Sequence, residues 1–560
     1  MKKILAFTLA LCMAASLLAA CGSSNSTAQT AAASTDQPAA TQAPTEIALA
    51  DAIIAQGNVS DTVIAEKYVV GLPGDPADFQ PYSSASGGRM YTMPMIYEYL
   101  GVADSSSPDG FVGVLMKGYE QVDDLTYRIT IYDYIFDASG NKITADDVAW
   151  CYTTCKEIGK TSKIKTMDTM TAVDTYVVEL KMKSNAVGAL LNLMCGTCPI
   201  VSRASFEAST DGMILSPVGT TGYVLTSYES GSSYTFEYNG NYWQKEELTS
   251  PSSVHNAKKV VFRVYPEAAQ LAIALEAGEI DAAYGLSTSE AARFMEGGAS
   301  AAGHTTYSFL DSSIYCLLFN GTQGGLMDNK ALRQAICYAI DVQGLVDGVY
   351  NGKAIVTKAF GSPLCVDYVK DWDNESYYDY DAAKAKALLA ESGIDLENTT
   401  IRIMTPNYDA NKKMIQIVQA YLNAIGIKTE LLIYESSLFG TYKTDPTQWD
   451  IMLDARMSND VVVSLTNYIL AQSSGTDGAN VIFVKDDTLE QYCKTVLSLE
   501  GHTVENLKAY QDYVKETAYV YSMTCAQSFV ATKDCVSSLF MDGRASLYAN
   551  AATFTSAINQ

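Results

Sequence analysis

Ile401-Arg-Ile-Met-Thr405, then Asn411 to Ala424, then a stop at Gly426 and Lys428-Thr-Glu-Leu-Leu-Ile-Tyr434, is the stretch that decides the fold. Ile401 to Thr405 reads as a strand, Asn411 to Ala424 as an amphipathic helix ended by Gly426, and Lys428 to Tyr434 as a second strand. Strand, helix, strand at this spacing is a βαβ unit, and the crossover makes its strands parallel. Asp450 to Leu453 supplies the next apolar strand, and Asp381 caps a further helix, Ala382 to Glu391, which Gly393 terminates. A mostly parallel α/β lobe is predicted here. In such sheets ligands gather beyond the carboxyl ends of the strands. That draws attention to Asp454-Ala-Arg-Met-Ser-Asn-Asp460.

Towards the amino terminus the pattern changes. Tyr68-Val-Val-Gly-Leu-Pro-Gly-Asp75 reads as a strand running into a Pro/Gly turn, and Met93 to Leu100 is helix-compatible. Tyr127 to Tyr132 and Tyr176 to Lys181 alternate as strands, and Gly222 to Tyr228 pairs with Ser233 to Tyr238. Thr144 is a good N-cap, and Asp147 three residues on places a carboxylate in the positive first turn of a helix. No period of 20–50 residues recurs, so solenoids and propellers are disfavoured.

The first residues suggest export. Lys2 and Lys3 precede an apolar run from Ile4 to Leu18, too short to span a bilayer comfortably, and Leu18-Ala-Ala-Cys21-Gly22 resembles a bacterial lipobox. Residues 1–20 are expected to be a lipoprotein signal peptide, with Cys21 the lipidated residue. Acyl chains contributing roughly 0.8 kcal/mol per CH₂ would make a stable anchor. Residues 21–45, rich in Ser, Thr, Ala, Gln and Pro, cannot bury enough apolar surface to offset ordering and are expected to be a flexible tether. No later segment of about eighteen apolar residues follows, so membrane contact is expected through the lipid anchor only.

The remaining chain, about 515 residues, exceeds one small core, and two or three lobes are expected. Hydrophobic residues at 48% and charged residues at 18% describe an ordinary globule. Without Lys2 and Lys3, 36 basic face 63 acidic residues, a net charge of −27. Nucleic acid is therefore excluded as a partner, because phosphate recognition needs a basic footprint.

Catalytic constellations are missing. There is no G-x-S-x-G elbow, no H-E-x-x-H, no complete Walker loop and no EF-hand spacing. His255, His304 and His502 are lone and far apart, which argues against direct metal coordination. Cys151 and Cys155 lie four apart in a helical pattern, and Cys195-Gly-Thr-Cys198 is a lone C-x-x-C without the second half of a zinc site. Free, buried thiols are expected, with a 195–198 redox pair as the alternative. A binder that uses no cofactor and no metal is favoured over an enzyme.

The ordered blocks resemble the extracytoplasmic solute-binding proteins of family 5, which serve peptide and nickel ABC importers. Those blocks are Ile96-Tyr-Glu-Tyr-Leu100, Asp124 to Thr130, Phe136 to Gly140, Thr144-Ala-Asp-Asp-Val148, Pro217-Val-Gly-Thr-Thr-Gly-Tyr223 with Asn241-Tyr-Trp243, Ala277-Gly-Glu-Ile-Asp281, Phe319-Asn320 and Arg333 to Asp341. Each is weak alone; in this order the set is specific, and it covers about Ala65 to Tyr548.

The resemblance implies an α/β type II periplasmic-binding-protein clamshell with an additional lobe. Lobe I would take 66–98, 215–308 and 518–560, lobe II 99–214 and lobe III 309–517. It further implies a monomer that captures an oligopeptide or other small solute between closing lobes and docks on a cognate ABC permease and ATPase complex. An oligosaccharide receptor, a lipid-anchored exported hydrolase, and a signalling or adhesion lipoprotein are the alternatives.

Asp75 and Pro76, Ser313 and Tyr315, and Arg456, Met457, Asn459 and Asp460 are the ligand-binding candidates. Peptide binders of the family usually carry Asp-Tyr after the strand equivalent to 450–453, its carboxylate pairing with the ligand's ammonium group. Here Asn459 takes the carboxylate position and Asp460 is next to it. Because an amide cannot offset the desolvation of a buried ammonium, either Asp460 takes the role or the ligand lacks a free amino terminus. Arg456 stands where relatives often have tryptophan; it either meets a ligand carboxylate bidentately or pairs with Asp454 or Asp460.

Overall fold

Tyr68–Leu72 (β1) is buried along its whole length, as a strand covered on both faces must be. It forms parallel pairs on both sides, with Lys259–Val264 (β10) and Ala282–Leu286 (β11). Around it the computed structural model builds an eleven-stranded mixed sheet. The described residues are 63–560 apart from 84–87, 105–106, 108, 159–161, 246–249, 376, 458–460, 473–480 and 541–545. The segments expected to be a signal peptide and a tether, with Cys21, thus lie outside them, as do Asn459 and Asp460.

Between β1 and β10 the chain forms a small hairpin, Gly101–Ala103 (β2) with Phe111–Gly113 (β3), and a separate four-stranded antiparallel sheet. That sheet holds Met116–Asp123 (β4), Thr126–Ile131 (β5), Met167–Asp174 (β6) and Val177–Met182 (β7), in the order β4-β5-β7-β6. Helix Ala145–Ile158 packs against it. Asp147 Oδ2 there accepts both the Thr144 amide at 2.8 Å and the Thr144 hydroxyl at 2.9 Å, which closes the expected helix start. Tyr223–Glu229 (β8) and Ser233–Tyr238 (β9) then form the predicted antiparallel pair and continue the large sheet from β10.

His304–Phe319 (β12) and Val520–Lys533 (β17) are the two long antiparallel strands at the middle of the large sheet. Beyond β12 lie Ile451–Met457 (β16), Thr400–Pro406 (β14) and Lys428–Tyr434 (β15), while Ala354–Val356 (β13) pairs with β17. The full order is β15-β14-β16-β12-β17-β11-β1-β10-β9-β8. Val536–Ser538 (β18) and Thr553–Phe554 (β19) form a last small pair.

The βαβ reading holds in detail. β14 and β15 are parallel over seven registered pairs, from Thr400↔Lys428 to Pro406↔Tyr434, joined by helix Asp409–Ala424. Gly426 ends that helix at φ +99°, and Gly393, at φ +67°, follows helix Ala382–Glu391, whose start Asp381 caps through the Lys384 amide. The sheet is less parallel than expected, however. β14, β15 and β16 are parallel to one another, but β12 and β17 pair antiparallel.

Burial on both faces follows from alternation. Along β12, Ile314, Cys316 and Leu318 enter one core, and Leu317 and Phe319 enter the core on the opposite face.

One prediction fails. Met93 to Leu100 is helical only as the single turn Met93–Met95. Glu98 instead bridges to Ile200, and the Ile96 carbonyl accepts the Thr221 amide at 3.4 Å. Strand-like tertiary pairing here overrides a local helical pattern.

No disulfide joins the described cysteines, and nine of the ten are buried. The Cys155 thiol donates to the Thr197 carbonyl at 3.6 Å, and burial pushes the Cys198 thiol up. Burial likewise pushes Cys151 up to about 12, so it stays a thiol.

Candidate functional site

Strand directions decide where a site can lie. β1 is parallel to β11, β11 is antiparallel to β17, and β17 is antiparallel to β12, so β1 and β12 run the same way. β16, with β14 and β15, runs the opposite way. Gly71 shares a row with Ala283, Ala531 and Thr306, whereas Met457 pairs with Ser313. Seven residues of β12, from Thr306 to Ser313, separate those rows, roughly 23 Å. The carboxyl ends of two sets of parallel strands therefore point at each other across the middle of one sheet.

Asp75 and Pro76 follow β1 on one side of this gap. Both carboxylate oxygens of Asp75 are engaged by the protein. Oδ1 accepts the Ala77 amide at 2.8 Å and the Tyr228 hydroxyl at 3.0 Å, and Oδ2 accepts the Gly231 amide. Asp75 thus fixes the turn between β8 and β9. Pro76 is buried; its backbone runs beside Gly88, where a Cβ would come within 2.7 Å of the Pro76 nitrogen.

Ser313, Tyr315, Arg456 and Met457 come together on the other side, because β12 and β16 pair Ser313 with Met457 and Ile314 with Arg456. Alternation then divides them. Tyr315 packs with the core that holds Leu317 and Phe319, its ring 6.2 Å from Tyr350. Arg456 lies on the opposite face, with Met452 and Cys316. There its guanidinium meets Asp454 at 2.9 Å, both residues only 9% exposed. Burial raises the Asp454 carboxyl above its usual range, and Arg456 opposes that rise. Of the two roles open to Arg456, pairing with Asp454 is realised.

One residue escaped the sequence reading. Glu98, 3% exposed, accepts Trp243 Nε1 at 2.8 Å, the Tyr242 hydroxyl at 2.5 Å and the Ser252 hydroxyl at 2.6 Å. It belongs to a block already singled out, but nothing local indicates that it meets Tyr242-Trp243.

An open groove of about 460 Å³ runs beside the start of β12, lined by His304, Thr306, Ser308, Lys353, Gln527 and Phe529 among others. None of the candidate residues lines it. Among the described residues, no cluster of three or more His, Cys, Asp or Glu side chains could hold a metal ion. No described helix is long and apolar enough to cross a membrane.

Known proteins match this architecture. Residues 110–478 match the family model of bacterial extracellular solute-binding proteins, family 5. The oligopeptide-binding protein AppA of Bacillus subtilis is 23% identical over 492 residues, which is 81% of this chain and 85% of AppA. The nickel-binding periplasmic protein of Escherichia coli is 29% identical over 240 residues, 40% of this chain and 43% of that protein.

Among solved structures, Bacillus subtilis AppA in complex with a nonapeptide aligns with a TM-score of 0.68 at 19% identity, covering 88% of this chain and all of that one. NikA from Brucella suis in complex with Fe(III)-EDTA aligns with a TM-score of 0.72 at 20% identity, covering 87% of this chain and all of that one. The fold is the type II periplasmic-binding-protein clamshell with an additional lobe. The family match spans well over half of the sequence. The chain therefore belongs to the bacterial extracellular solute-binding proteins of family 5.

Proposed function

We propose that this protein is the extracytoplasmic receptor of an ABC importer, capturing oligopeptides or peptide-like solutes between closing lobes and delivering them to a permease and its ATPase. The observation that carries this reading is the opposition of strand carboxyl ends across β12 and β17. Such ends expose unpaired backbone groups at a cleft, and extended peptides are held by main-chain hydrogen bonds with little side-chain selectivity. Membership of family 5 and the nonapeptide complex of AppA support the choice of solute.

In this proposal lobe I takes 66–98, 215–308 and 518–560, lobe II 99–214, and lobe III 309–517. Asp75, Pro76, Ser313, Tyr315, Arg456, Met457, Asn459 and Asp460 edge the cleft. Asp75 acts by shaping the turn, since its carboxylate is already engaged. The protein holds its solute without converting it, works as a monomer and is tethered through Cys21.

Mass spectrometry of what co-purifies with residues 46–560 tests the reading. Peptides released on denaturation, and rebinding of synthetic copies with and without an acetylated amino terminus, are the expected results. Recovery of a chemically altered product after incubation with a bound peptide would remove it.

A further inference from the structure

His502 lies in the turn between helices Asp487–Leu497 and Val504–Thr517, held between two acceptors. Its Nδ1 is 2.9 Å from the Val496 carbonyl oxygen, and its Nε2 is 2.8 Å from Asp367 Oδ2. A carbonyl and a carboxylate only accept, and a neutral imidazole carries one proton. The Nδ1 proton therefore goes to the Val496 carbonyl, and Nε2 meets Asp367 Oδ2 as a close ion contact that is not aligned as a hydrogen bond. The carboxylate attracts a positive ring at that distance and gives a neutral one no such gain. Burial opposes the charge, but the Asp367 carboxylate and the Val496 carbonyl beside the ring outweigh it and hold His502 above its usual range.

The other oxygen of Asp367 accepts the Val462 amide at 2.6 Å. The His502–Asp367 ion contact and the Asp367–Val462 hydrogen bond therefore tie together the turn at 498–503, the loop around Asp367 and the chain just beyond β16. The segment following β7 docks on this platform. Val187 donates its amide to the Leu497 carbonyl at 3.1 Å, and Ala186 bridges to Ser498. Gly188, at φ +74°, packs so tightly that a Cβ would lie 2.8 Å from Val461 Cγ2. Segments 186–188 and 461–463 carry no ionisable side chain, and Glu500 and Glu505 are exposed. Asp367 is thus the ionisable group that acts on the ring.

We propose that His502 is a positioning residue for lobe closure: its imidazolium, clasped by Asp367 and the Val496 carbonyl, holds the face against which Ala186 to Gly188 dock. Closure is then favoured at mildly acidic pH and loosened above neutrality. The inference rests on the receptor reading for its meaning, since docking of these segments matters only if the lobes move.

Amide protection factors of Val187 and Val462 in the full-length protein, at about pH 6 and about pH 8, test it. Protection of both is expected to fall several-fold between the two in the wild type, and to lose that pH dependence in His502→Gln. An NMR titration of the His502 ring, with its pKa dropping in Asp367→Asn, is the second measurement and needs only folded wild type and one variant. Equal protection at both pH values in the wild type, or a ring that titrates alike with and without the Asp367 charge, would overturn the proposal. These readouts require no solute. Their failure leaves the receptor reading standing, whereas failure to recover any solute leaves these readouts untouched.

Discussion

The Trp243 indole donates a 2.8 Å hydrogen bond to Glu98 Oε2, joining two sequence blocks 145 residues apart. Three donors, the Tyr242 and Ser252 hydroxyls and the Trp243 indole, satisfy the carboxylate of Glu98. Replacing it with alanine leaves a buried indole N–H without its acceptor, and each orphaned buried group costs about 1–3 kcal/mol. Glu98→Ala is expected to lose about 3 kcal/mol of stability, read as a lower urea midpoint at unchanged slope. Glu98→Gln should lose less, because the hydroxyls of Tyr242 and Ser252 can reorient and the indole cannot.

Arg456 and Asp454 make a buried ion pair at 2.9 Å. Removing one partner of such a pair costs roughly 3–5 kcal/mol, while replacing both with apolar groups is often neutral. Arg456→Ala is therefore expected both to lower the melting temperature and to weaken solute binding. Asp454→Leu combined with Arg456→Met should recover the stability and not the binding. Calorimetry on the three proteins, with Asp460→Ala as a variant outside the pair, separates the two effects. Full affinity in both Asp460→Ala and the double variant would remove this edge from the cleft.

His255 stacks 4.3 Å from Tyr238 and edges against Tyr242, with its Nε2 buried. Burial lowers its pKa to about 4. An unfolded chain takes up that proton near pH 6.5 and the folded one refuses it, so stability falls as pH drops from about 6.5 to about 4. The full loss is about 3 kcal/mol at 1.36 kcal/mol per unit. His255→Gln should show a correspondingly flatter acid limb in chemical denaturation. His502 has the opposite sign: its raised pKa contributes stability below about pH 6.5 that is lost above it.

A Cβ on Gly219 would overlap the Ile96 carbonyl, backbone against backbone. Neither atom is the end of a flexible chain, so relief requires moving the segment that also presents Thr221 to Ile96 and Met95. Gly219→Ala is expected to be among the most destabilising single substitutions here, above about 3 kcal/mol, or to prevent soluble expression. Normal thermal unfolding of that variant would show that this segment yields at little cost.

Local pattern was enough for much of the fold. The 400–434 unit was legible because the apolar period switches from strand to helix and back, and Gly426 marks the stop. The helix start at Thr144 and the hairpin at 223–238 were legible for the same kind of reason. Met93 to Leu100 misled because its helical spacing serves a segment that Ile200 and Thr221 capture instead.

The site was less legible. Ser313 and Met457 lie far apart in the sequence, and their pairing is a property of β12 against β16. Tyr315 and Arg456 fall on opposite faces of that sheet, which spacing within either strand cannot reveal.

What the sequence determined alone is the βαβ unit at 400–434, the helix starts at Thr144 and Asp381, the strand pair at 222–238 and a family-specific order of blocks, because each is written in residues close together along the chain. Tertiary structure alone decided that Asp75 fixes a turn, that Arg456 pairs with Asp454, and that His502 sits between Asp367 and Val496. Charge and hydrogen-bond states depend on which groups meet after the chain has closed. His502 and Asp367, more than a hundred residues apart, carry no mark of each other until then.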